Sequence, residues 1–234
     1  MPGMNLLALE TSTDRGSCAL WQDGVVSERV CPAGVPHSQT LLPLVRDLMR
    51  AAGLGFAQLD GIAFGAGPGA FTGLRVACGV AQGLAVAAGL PVVPVSGLAA
   101  MAAATGAPRV LALLDARMGE VYVGAWRRCA DDGEYELDGE IRVAVPADVH
   151  LPAEADWLAC GNAPAAYPLL AARLGVAGVP VRADILPGAA AIAAIAAAAL
   201  ARGEGVDPAL AAPLYVRDKV AKTIGERLGE GGRA

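Results

Sequence analysis

Two stretches of the sequence decide the fold: Leu6-Leu-Ala-Leu-Glu-Thr-Ser-Thr-Asp-Arg-Gly-Ser-Cys-Ala-Leu-Trp21 and Val110-Leu-Ala-Leu-Leu-Asp-Ala-Arg-Met-Gly-Glu-Val-Tyr-Val-Gly-Ala-Trp126. Each reads as an apolar strand that ends in an acid, then a tight turn, then a returning strand. Glu10 and Asp115 are 105 positions apart, and so are Trp21 and Trp126. This echo predicts a duplicated structure whose second half begins near the middle of the chain.

The segments around these hairpins predict alternating strands and helices. Asp23-Gly24 is a strong two-residue hairpin signal before the strand Val25–Val30. A helix is expected that begins near Pro43 or is kinked there, and His37-Ser-Gln39 is expected to start a helix. Strands are expected at 61–64, 91–95 and 157–160. Further helices are predicted at 72–88, 165–174 and 188–202. This order favours an α/β fold of two lobes, residues 1–105 and 106–234, each with a partly parallel sheet and crossover helices.

Composition excludes several classes of protein. The 234 residues are 55% hydrophobic and 18% charged, enough apolar material for a sizeable core. The net charge of −5 argues against nucleic-acid binding by this chain alone. The five cysteines include no CxxC pair, which is typical of reduced thiols in a cytoplasmic protein. We expect no signal peptide, and we expect the apolar stretches 76–95 and 185–201 to be buried rather than to cross a membrane.

The acid-ended hairpins are the candidate nucleotide site. Carboxylates at strand ends, beside turn N–H groups, can hold a metal–phosphate or orient a water molecule. The alternative is that these acids and hydroxyls only cap turns. The candidate residues of this pocket are Glu10, Thr11, Ser12, Thr13, Asp115, Gly161 and Asn162.

The glycine-rich segment Gly65-Ala-Gly-Pro-Gly-Ala70 fits one form of the dinucleotide fingerprint. That fingerprint needs an acid about 20 residues later, and no acid occurs between Asp60 and Asp115. Pro68 also removes an N–H that a phosphate cradle would use. We therefore expect a structural turn, with Thr72 capping the next helix.

That next helix carries no formal charge after Arg75, although a solvated helix normally has a charged outer face. It has small residues at Gly73, Ala77, Ala81 and Ala85, a spacing that allows another helix to approach closely. The helix is either buried inside its own fold or covered by another subunit. For the second case, the predicted interface combines both N-lobe helices: Leu41, Leu44, Val45, Leu48, Arg75, Gly79, Ala81, Gln82, Gly83 and Ala85.

Metal and hydrolase motifs are missing from the sequence. Its two histidines, His37 and His150, form no pair at helical spacing, and there is no HExxH or G-x-S-x-G. We expect no metal site and no protease activity, and a catalytic role for His37 is a separate hypothesis. A basic strip in the tail (Arg217, Lys219, Lys222 and Arg227) is diluted by Asp218 and Glu226, so a solvated helix is the simpler interpretation.

Several motifs resemble those of the TsaB (YeaZ) family and occur in the family's order. They are Leu7-Ala-Leu-Glu-Thr-Ser-Thr13, Pro36-His-Ser-Gln-Thr-Leu-Leu-Pro43, Gly67-Pro-Gly-Ala-Phe-Thr-Gly-Leu-Arg75, Asp115-Ala-Arg-Met-Gly-Glu-Val-Tyr122 and Pro213-Leu-Tyr-Val-Arg-Asp-Lys219. The resemblance implies the duplicated actin-like fold of sugar kinases and Hsp70, which is related to ribonuclease H. It also implies a role in forming N6-threonylcarbamoyladenosine (t6A) beside the anticodon of tRNAs that read codons beginning with A.

In that system, the resemblance implies, a TsaD-type subunit transfers the threonylcarbamoyl group with a metal held by a His-x-x-x-His pair. This chain lacks the pair, because Ala33 stands four residues before His37. It would thus be a non-catalytic subunit that activates its TsaD-type paralogue through the N-lobe helices and helps to recruit a TsaE-type ATPase. It would meet tRNA only through the complex, form homodimers when alone, and need no cofactor, with at most weak ATP or ADP binding. The alternative is an independent ATPase or kinase of the same fold.

Overall fold

The computed structural model describes residues 3–216, so the predicted basic strip of the tail lies outside the described residues. The first sheet contains five strands and the second contains six. The strands are β1 Asn5–Glu10, β2 Ser17–Gln22, β3 Val25–Val30, β4 Gly61–Gly67, β5 Val92–Ser96, β6 Arg109–Arg117, β7 Glu120–Arg128, β8 Tyr135–Leu137, β9 Arg142–Ala144, β10 Trp157–Cys160 and β11 Val181–Arg182. The helices are α1 His37–Ala52, α2 Phe71–Ala88, α3 Gly97–Thr105, α4 Ala163–Ala166, α5 Pro168–Val176 and α6 Ala189–Ala201, with 3₁₀ turns at Phe56–Gln58 and Pro208–Leu210.

The two sheets have the same topology. The first has the order β3-β2-β1-β4-β5, and the second has β8-β7-β6-β10-β11, with β9 also paired to β7. In each, the first strand lies centrally, antiparallel to the strand that follows it (β2 or β7) and parallel to the strand on its other side (β4 or β10). The Asp23-Gly24 turn has the positive φ values of 48° and 91° that a two-residue hairpin favours. The predicted duplicated actin-like α/β fold is therefore confirmed.

Helices cover both faces of the first sheet. On one face, α1 and α2 pack with Leu7, Leu20 and Phe64 in one core cluster. On the other face, the alanine-rich α6 packs against Ala8, Ala63 and other small strand residues. The small side chains on both sides allow this helix to approach the sheet closely.

Each half of the chain contributes one helix to the core of the other half. α6 belongs to the second half of the sequence but completes the core of the first sheet. α3 belongs to the first half, yet Leu98 and Met101 pack with Val110 and Leu114 of the second sheet. We keep the division into residues 1–105 and 106–234 as a proposal, with the addition that neither part is completed by its own residues alone.

Three element boundaries differ from the predicted ones. β4 continues to Gly67, so only Pro68, Gly69 and Ala70 form the connection to α2. The prediction that Thr72 caps α2 is wrong, because the helix begins at Phe71 and Ala70 occupies the cap position. The predicted helix 165–174 is instead two helices, α4 and α5, because the residue before a proline avoids the helical region and Tyr167 precedes Pro168.

Helices α1 and α2 both form in full, despite a proline in one and an unusually apolar sequence in the other. α1 begins at His37, so Pro43 lies inside it without preventing it from forming. Among the described residues, α2 is the helix that could span a membrane by length and composition alone. Four of its buried residues pack in the core against the first sheet, as in a core helix: Ala77, Cys78, Ala81 and Ala85.

Candidate functional site: the interlobe cleft and the outer face of helix α2

The first acid-ended hairpin turns its carboxyl group inward. Glu10 is fully buried, and its Oε1 accepts a hydrogen bond from the backbone N–H of Ser12. Its Oε2 has no hydrogen-bond partner among residues 3–216 and lies against Gly65 of the neighbouring strand. Burial raises the pKa of Glu10, although the Ser12 and Thr11 hydrogen bonds partly offset this. The carboxyl group is thus part of the core, and a ligand in the cleft cannot reach it.

The hydroxyl residues after Glu10 connect this hairpin to the two helices of its lobe. The hydroxyl of Thr11 donates to the carbonyl of Gly73 at 2.7 Å, which fixes the first turn of α2. The carbonyl of Thr13 accepts from His37 Nε2 at 2.8 Å, so that nitrogen carries the proton. Ser12 is 2% exposed, and its Oγ has no partner within the described part of the chain. Of these residues, Ser12 and Thr13 line the cleft.

The second hairpin places Asp115 in the cleft, where the neighbouring polar groups already form hydrogen bonds with it. Asp115 Oδ1 accepts from the Tyr167 hydroxyl at 2.7 Å and from the backbone N–H of Arg117 at 2.8 Å. Its own N–H donates to Asn162 Oδ1 at 2.8 Å. Burial and the nearby Asp115 raise the pKa of Tyr167 to about 12, so the phenol stays a donor at neutral pH. Gly161 adopts φ +111° and has no room for a Cβ atom beside the carbonyl of Leu113.

An arginine crosses between the two hairpins. Arg117 Nη2 lies 3.3 Å from Asp14 Oδ2, and its Nη1 lies 3.3 Å from Asp115 Oδ2. The cavity that remains between Ser12, Asp115 and Asn162 has a volume of about 70 Å³. Ligand pockets for drug-sized molecules are on the order of 300–1,000 Å³. The cavity between these three residues is therefore too small for a nucleotide.

The predicted nucleotide residues are thus only partly brought together. Ser12, Thr13, Asp115 and Asn162 line one cavity, whereas Glu10 lies in the core and Thr11 is committed to α2. Within residues 3–216, no group of three His, Cys, Asp or Glu side chains is arranged to hold a metal ion. Sequence reasoning missed Arg117 and Tyr167, although the position of Arg117 two residues after Asp115 could have suggested the ion pair.

The structure corrects half of the predicted partner interface. Five of its residues are buried inside this chain, where their side chains pack against the first sheet: Leu41, Val45, Leu48, Ala81 and Ala85. The row of small residues that the sequence singled out therefore faces the chain's own sheet rather than a partner. The hypothesis that the helix is buried in its own fold is right for this face of α2.

Two more predicted interface residues are engaged within the chain. Gln82 Nε2 donates to the carbonyls of Pro208 and Ala211 at 3.1 and 3.0 Å. Arg75 lies 3.8 Å above the ring of Phe71, and its Nε donates to the Tyr215 hydroxyl at 3.2 Å. These contacts hold the segment after α6 along one flank of α2. Leu44 is half-buried, while Gly79 and Gly83 are exposed.

The opposite side of α2 is a second uncharged face, which we call the outer stripe: Thr72, Val76, Gly79, Val80, Gly83, Val86 and Ala87. Its residues recur at helical spacing and are exposed or half-buried, and Val86 is 70% exposed. An added Cβ atom at Gly79 or Gly83 would meet no other atom within 4 Å. The predicted interface included Gly79 and Gly83 of this stripe but none of its valines, because both faces of the helix consist of small or apolar residues.

Comparisons with known proteins agree on one relationship. The family model "TsaD: tRNA N6-adenosine threonylcarbamoyltransferase" matches residues 22–224. The tRNA threonylcarbamoyladenosine biosynthesis protein TsaB of Escherichia coli is 37% identical over 233 residues, covering 93% of this chain and 96% of the relative. The TsaB of Haemophilus influenzae is 47% identical over 126 residues, covering 52% of this chain and 53% of the relative. The solved structure of YeaZ from Pseudomonas aeruginosa is similar with a TM-score of 0.79 and 41% identity, covering 91% of this chain and 99% of that one.

Proposed function

The chain belongs to the TsaB (YeaZ) proteins of the TsaD family, which take part in tRNA threonylcarbamoyladenosine biosynthesis, and we propose that it serves there as a subunit that binds and activates a TsaD-type transferase. In this proposal the chain supplies an interface and no catalytic residue. The observation that carries the proposal is the outer stripe of α2.

An exposed helix face without charge is costly to leave in water and is typical of a surface that another protein covers. The outer stripe combines valines with two glycines, so apolar area is available and a partner helix can approach the backbone closely. In the same lobe, α1 presents Leu42, which is 43% exposed, and the half-buried Leu44. The proposed interface therefore comprises the outer stripe with Leu42 and Leu44, in place of the buried residues that the sequence pattern favoured.

The partner that fits best is a paralogue of the same fold. Helices in equivalent positions of two related lobes can pack face to face about a two-fold or pseudo-two-fold axis, as in most small oligomers. We propose the TsaD-type subunit as the native partner and a homodimer through the same stripe when that subunit is absent. Recruitment of a TsaE-type ATPase, and contact with tRNA through the assembled complex, belong to the same proposal.

The geometry of the cleft speaks against the alternative of an independent ATPase or kinase. The buried Glu10 cannot hold a metal–phosphate, and Asp115 already accepts hydrogen bonds from Tyr167 and Arg117. A nucleotide would need the Arg117–Asp14 contact to break and the lobes to separate. We therefore assign the cleft a structural role, with at most weak ATP or ADP binding.

The test compares two glycine substitutions on exposed helix faces. Gly83→Arg places a charge in the outer stripe, whereas Gly175→Arg places the same charge on α5, and at both positions an added Cβ atom meets nothing within 4 Å. We expect Gly83→Arg to abolish co-elution with a TsaD-type subunit and t6A formation, because an unpaired charge would be buried at the interface. Gly175→Arg should preserve both. Circular dichroism of each isolated variant checks that the fold is intact.

Two outcomes would contradict the proposal. If the folded Gly83→Arg variant still formed the complex, the outer stripe would not be the interface. If calorimetry showed tight Mg-ATP binding to the isolated chain, and Asp115→Ala abolished it, the independent ATPase would replace the scaffold as the better function.

A further inference from the structure

A cavity in the second lobe lies away from both the cleft and α2. Its volume is about 750 Å³, and it opens on the face of the second sheet that carries Leu111, Val123, Ala125 and Trp157. Leu111 precedes the cleft residue Asp115 by four positions along β6, a distance of about 13 Å in a strand. The cavity is thus separate from the nucleotide remnant, and it has the size of a small-molecule or peptide site.

The floor of this cavity is apolar and its walls are irregular chain segments. Leu111, Val123 and Trp157 are at most 5% exposed, and they form the floor together with Ala125. One wall is the connection 138–142 between β8 and β9, and the other is the segment 150–154 before β10. Such walls leave part of the sheet face open where a helix would otherwise pack.

A charge network holds the two walls in place. Arg127 Nε lies 2.8 Å from Asp138 Oδ2, and its Nη1 lies 3.2 Å from Glu154 Oε2. Arg109 reaches the same Glu154 oxygen at 2.8 Å. Arg127 also lies 5.2 Å above the ring of Trp157, so it joins both walls to the floor. These four charges are mutually paired and are not available to a ligand without breaking the network.

Three ionisable side chains of the walls remain uncommitted. Glu140, Arg142 and His150 line the cavity, and within residues 3–216 none of their side chains makes a hydrogen bond or ion pair. At the mouth of the cavity, the Glu140 carboxylate can therefore accept hydrogen bonds from an ammonium group. The Arg142 guanidinium can donate to a carboxylate, and both lie above an apolar floor. His150 adds a second polar group for the carboxylate end.

We propose that this cavity binds a short apolar peptide through its free termini, with the ammonium group on Glu140, the carboxylate on Arg142 and the apolar side chains on the floor of Leu111, Val123 and Trp157. The presence of both free charges favours a zwitterion over a simple anion or cation, because either of those would leave one wall charge unmatched. A volume of about 750 Å³ exceeds what a single amino acid fills, which favours a peptide of a few residues. The inference is independent of the proposed assembly role.

The test titrates the ¹⁵N-labelled full chain with the tripeptide Ala-Leu-Ala and follows amide chemical shifts. We expect shifts at Val123, Ala125 and residues 139–142, and affinity about tenfold weaker for the N-acetylated or the C-amidated tripeptide. Glu140→Gln should remove the preference for the free ammonium group, and Arg142→Gln should remove the preference for the free carboxylate. Arg46→Gln, on the exposed face of α1, should change neither preference.

Three results would overturn the inference. These are an absence of shifts up to about 10 mM tripeptide, equal binding of the free and blocked tripeptides, and shifts confined to the interlobe cleft or the outer stripe. The charge substitutions lie on exposed side chains, so an unchanged spectrum in the absence of peptide will show that each variant is folded.

Discussion

The carboxyl group of Glu10 lies directly against the backbone of Gly65, in a space that a side chain at position 65 would need. The two residues belong to the neighbouring parallel strands β1 and β4. The glycine is therefore required by the buried acid rather than by a phosphate. This relationship accounts for one glycine of the segment that resembles a dinucleotide fingerprint.

Gly65→Ala should destabilise the protein. The added methyl group overlaps Glu10 Oε2 and approaches Ile192 of α6, and overpacking of this kind costs about 1–3 kcal/mol. Gly83→Ala is the matched control, because its new methyl group enters open space in a helix and should stabilise by about 0.5–1 kcal/mol. Urea unfolding of both variants measures the difference, and two changes of the same sign would contradict the prediction.

Glu10→Gln should become more stable relative to the wild type as the pH rises. The pKa of Glu10 is raised in the folded state, so its contribution to stability is present below the unfolded pKa and is lost as the pH rises through the folded pKa. The variant cannot titrate at this position. Between the two pKa values the difference in unfolding free energy should grow by at most about 1.4 kcal/mol per pH unit. Urea unfolding at several pH values from 4.5 upward checks this, and a difference independent of pH would show that the prediction is wrong.

Leu48→Ala should destabilise the isolated chain by about 2–4 kcal/mol, because Leu48 is 1% exposed within the core of the first lobe. Leu42→Ala on the same helix should cost less than about 1 kcal/mol, because Leu42 is 43% exposed. Thermal unfolding of the two variants separates a core residue from an interface residue. Equal costs would place Leu48 outside the core.

Gln82→Ala should loosen the segment after α6. The substitution removes two hydrogen bonds to the carbonyls of Pro208 and Ala211, at a cost of about 1–2 kcal/mol. Amide hydrogen exchange should speed up at Leu214, whose N–H donates to the carbonyl of Ala66 at the end of the same segment. Gln39→Ala, on an exposed position of α1, should leave this exchange rate unchanged. An unaltered rate at Leu214 in the Gln82 variant would show that the segment is held by other contacts.

Tyr167→Phe should destabilise the second lobe by about 1–2 kcal/mol, because it removes a hydrogen bond to the largely buried carboxylate of Asp115. Tyr215→Phe removes a hydrogen bond from the exposed Arg75 and should cost less than about 0.5 kcal/mol. The comparison uses urea unfolding at neutral pH. A larger loss for Tyr215 would contradict the view that Asp115 depends on Tyr167.

The fold could be predicted from the sequence because the acid-ended hairpin pattern occurs twice, once in each half of the chain. The hairpin at Asp23-Gly24 and the second acid-ended hairpin at Asp115 both lie where local turn chemistry placed them. The family was also recognisable from its motifs, and the comparisons agree. These features depend on short-range pattern, which a single sequence carries well.

The candidate site was harder to predict because it depends on which way side chains point. The two faces of α2 have almost the same composition, so nothing in the sequence distinguishes the buried Ala81 from the exposed Gly83. The inward position of Glu10 depends on the space beside Gly65. The hydrogen bonds of Gln82 depend on Pro208 and Ala211, which lie 126 and 129 positions later in the sequence. Only the folded chain shows these long-range relationships.

The exchange of α3 and α6 between the lobes has a consequence for synthesis of the protein. When the first 105 residues have left the ribosome, one face of the first sheet still lacks its cover, because α6 ends only at Ala201. Leu6, Ala8 and Val93 would face water or a chaperone until almost the whole chain has emerged. The nascent protein thus cannot mature lobe by lobe, and a premature stop before α6 would leave an apolar sheet face open to aggregation.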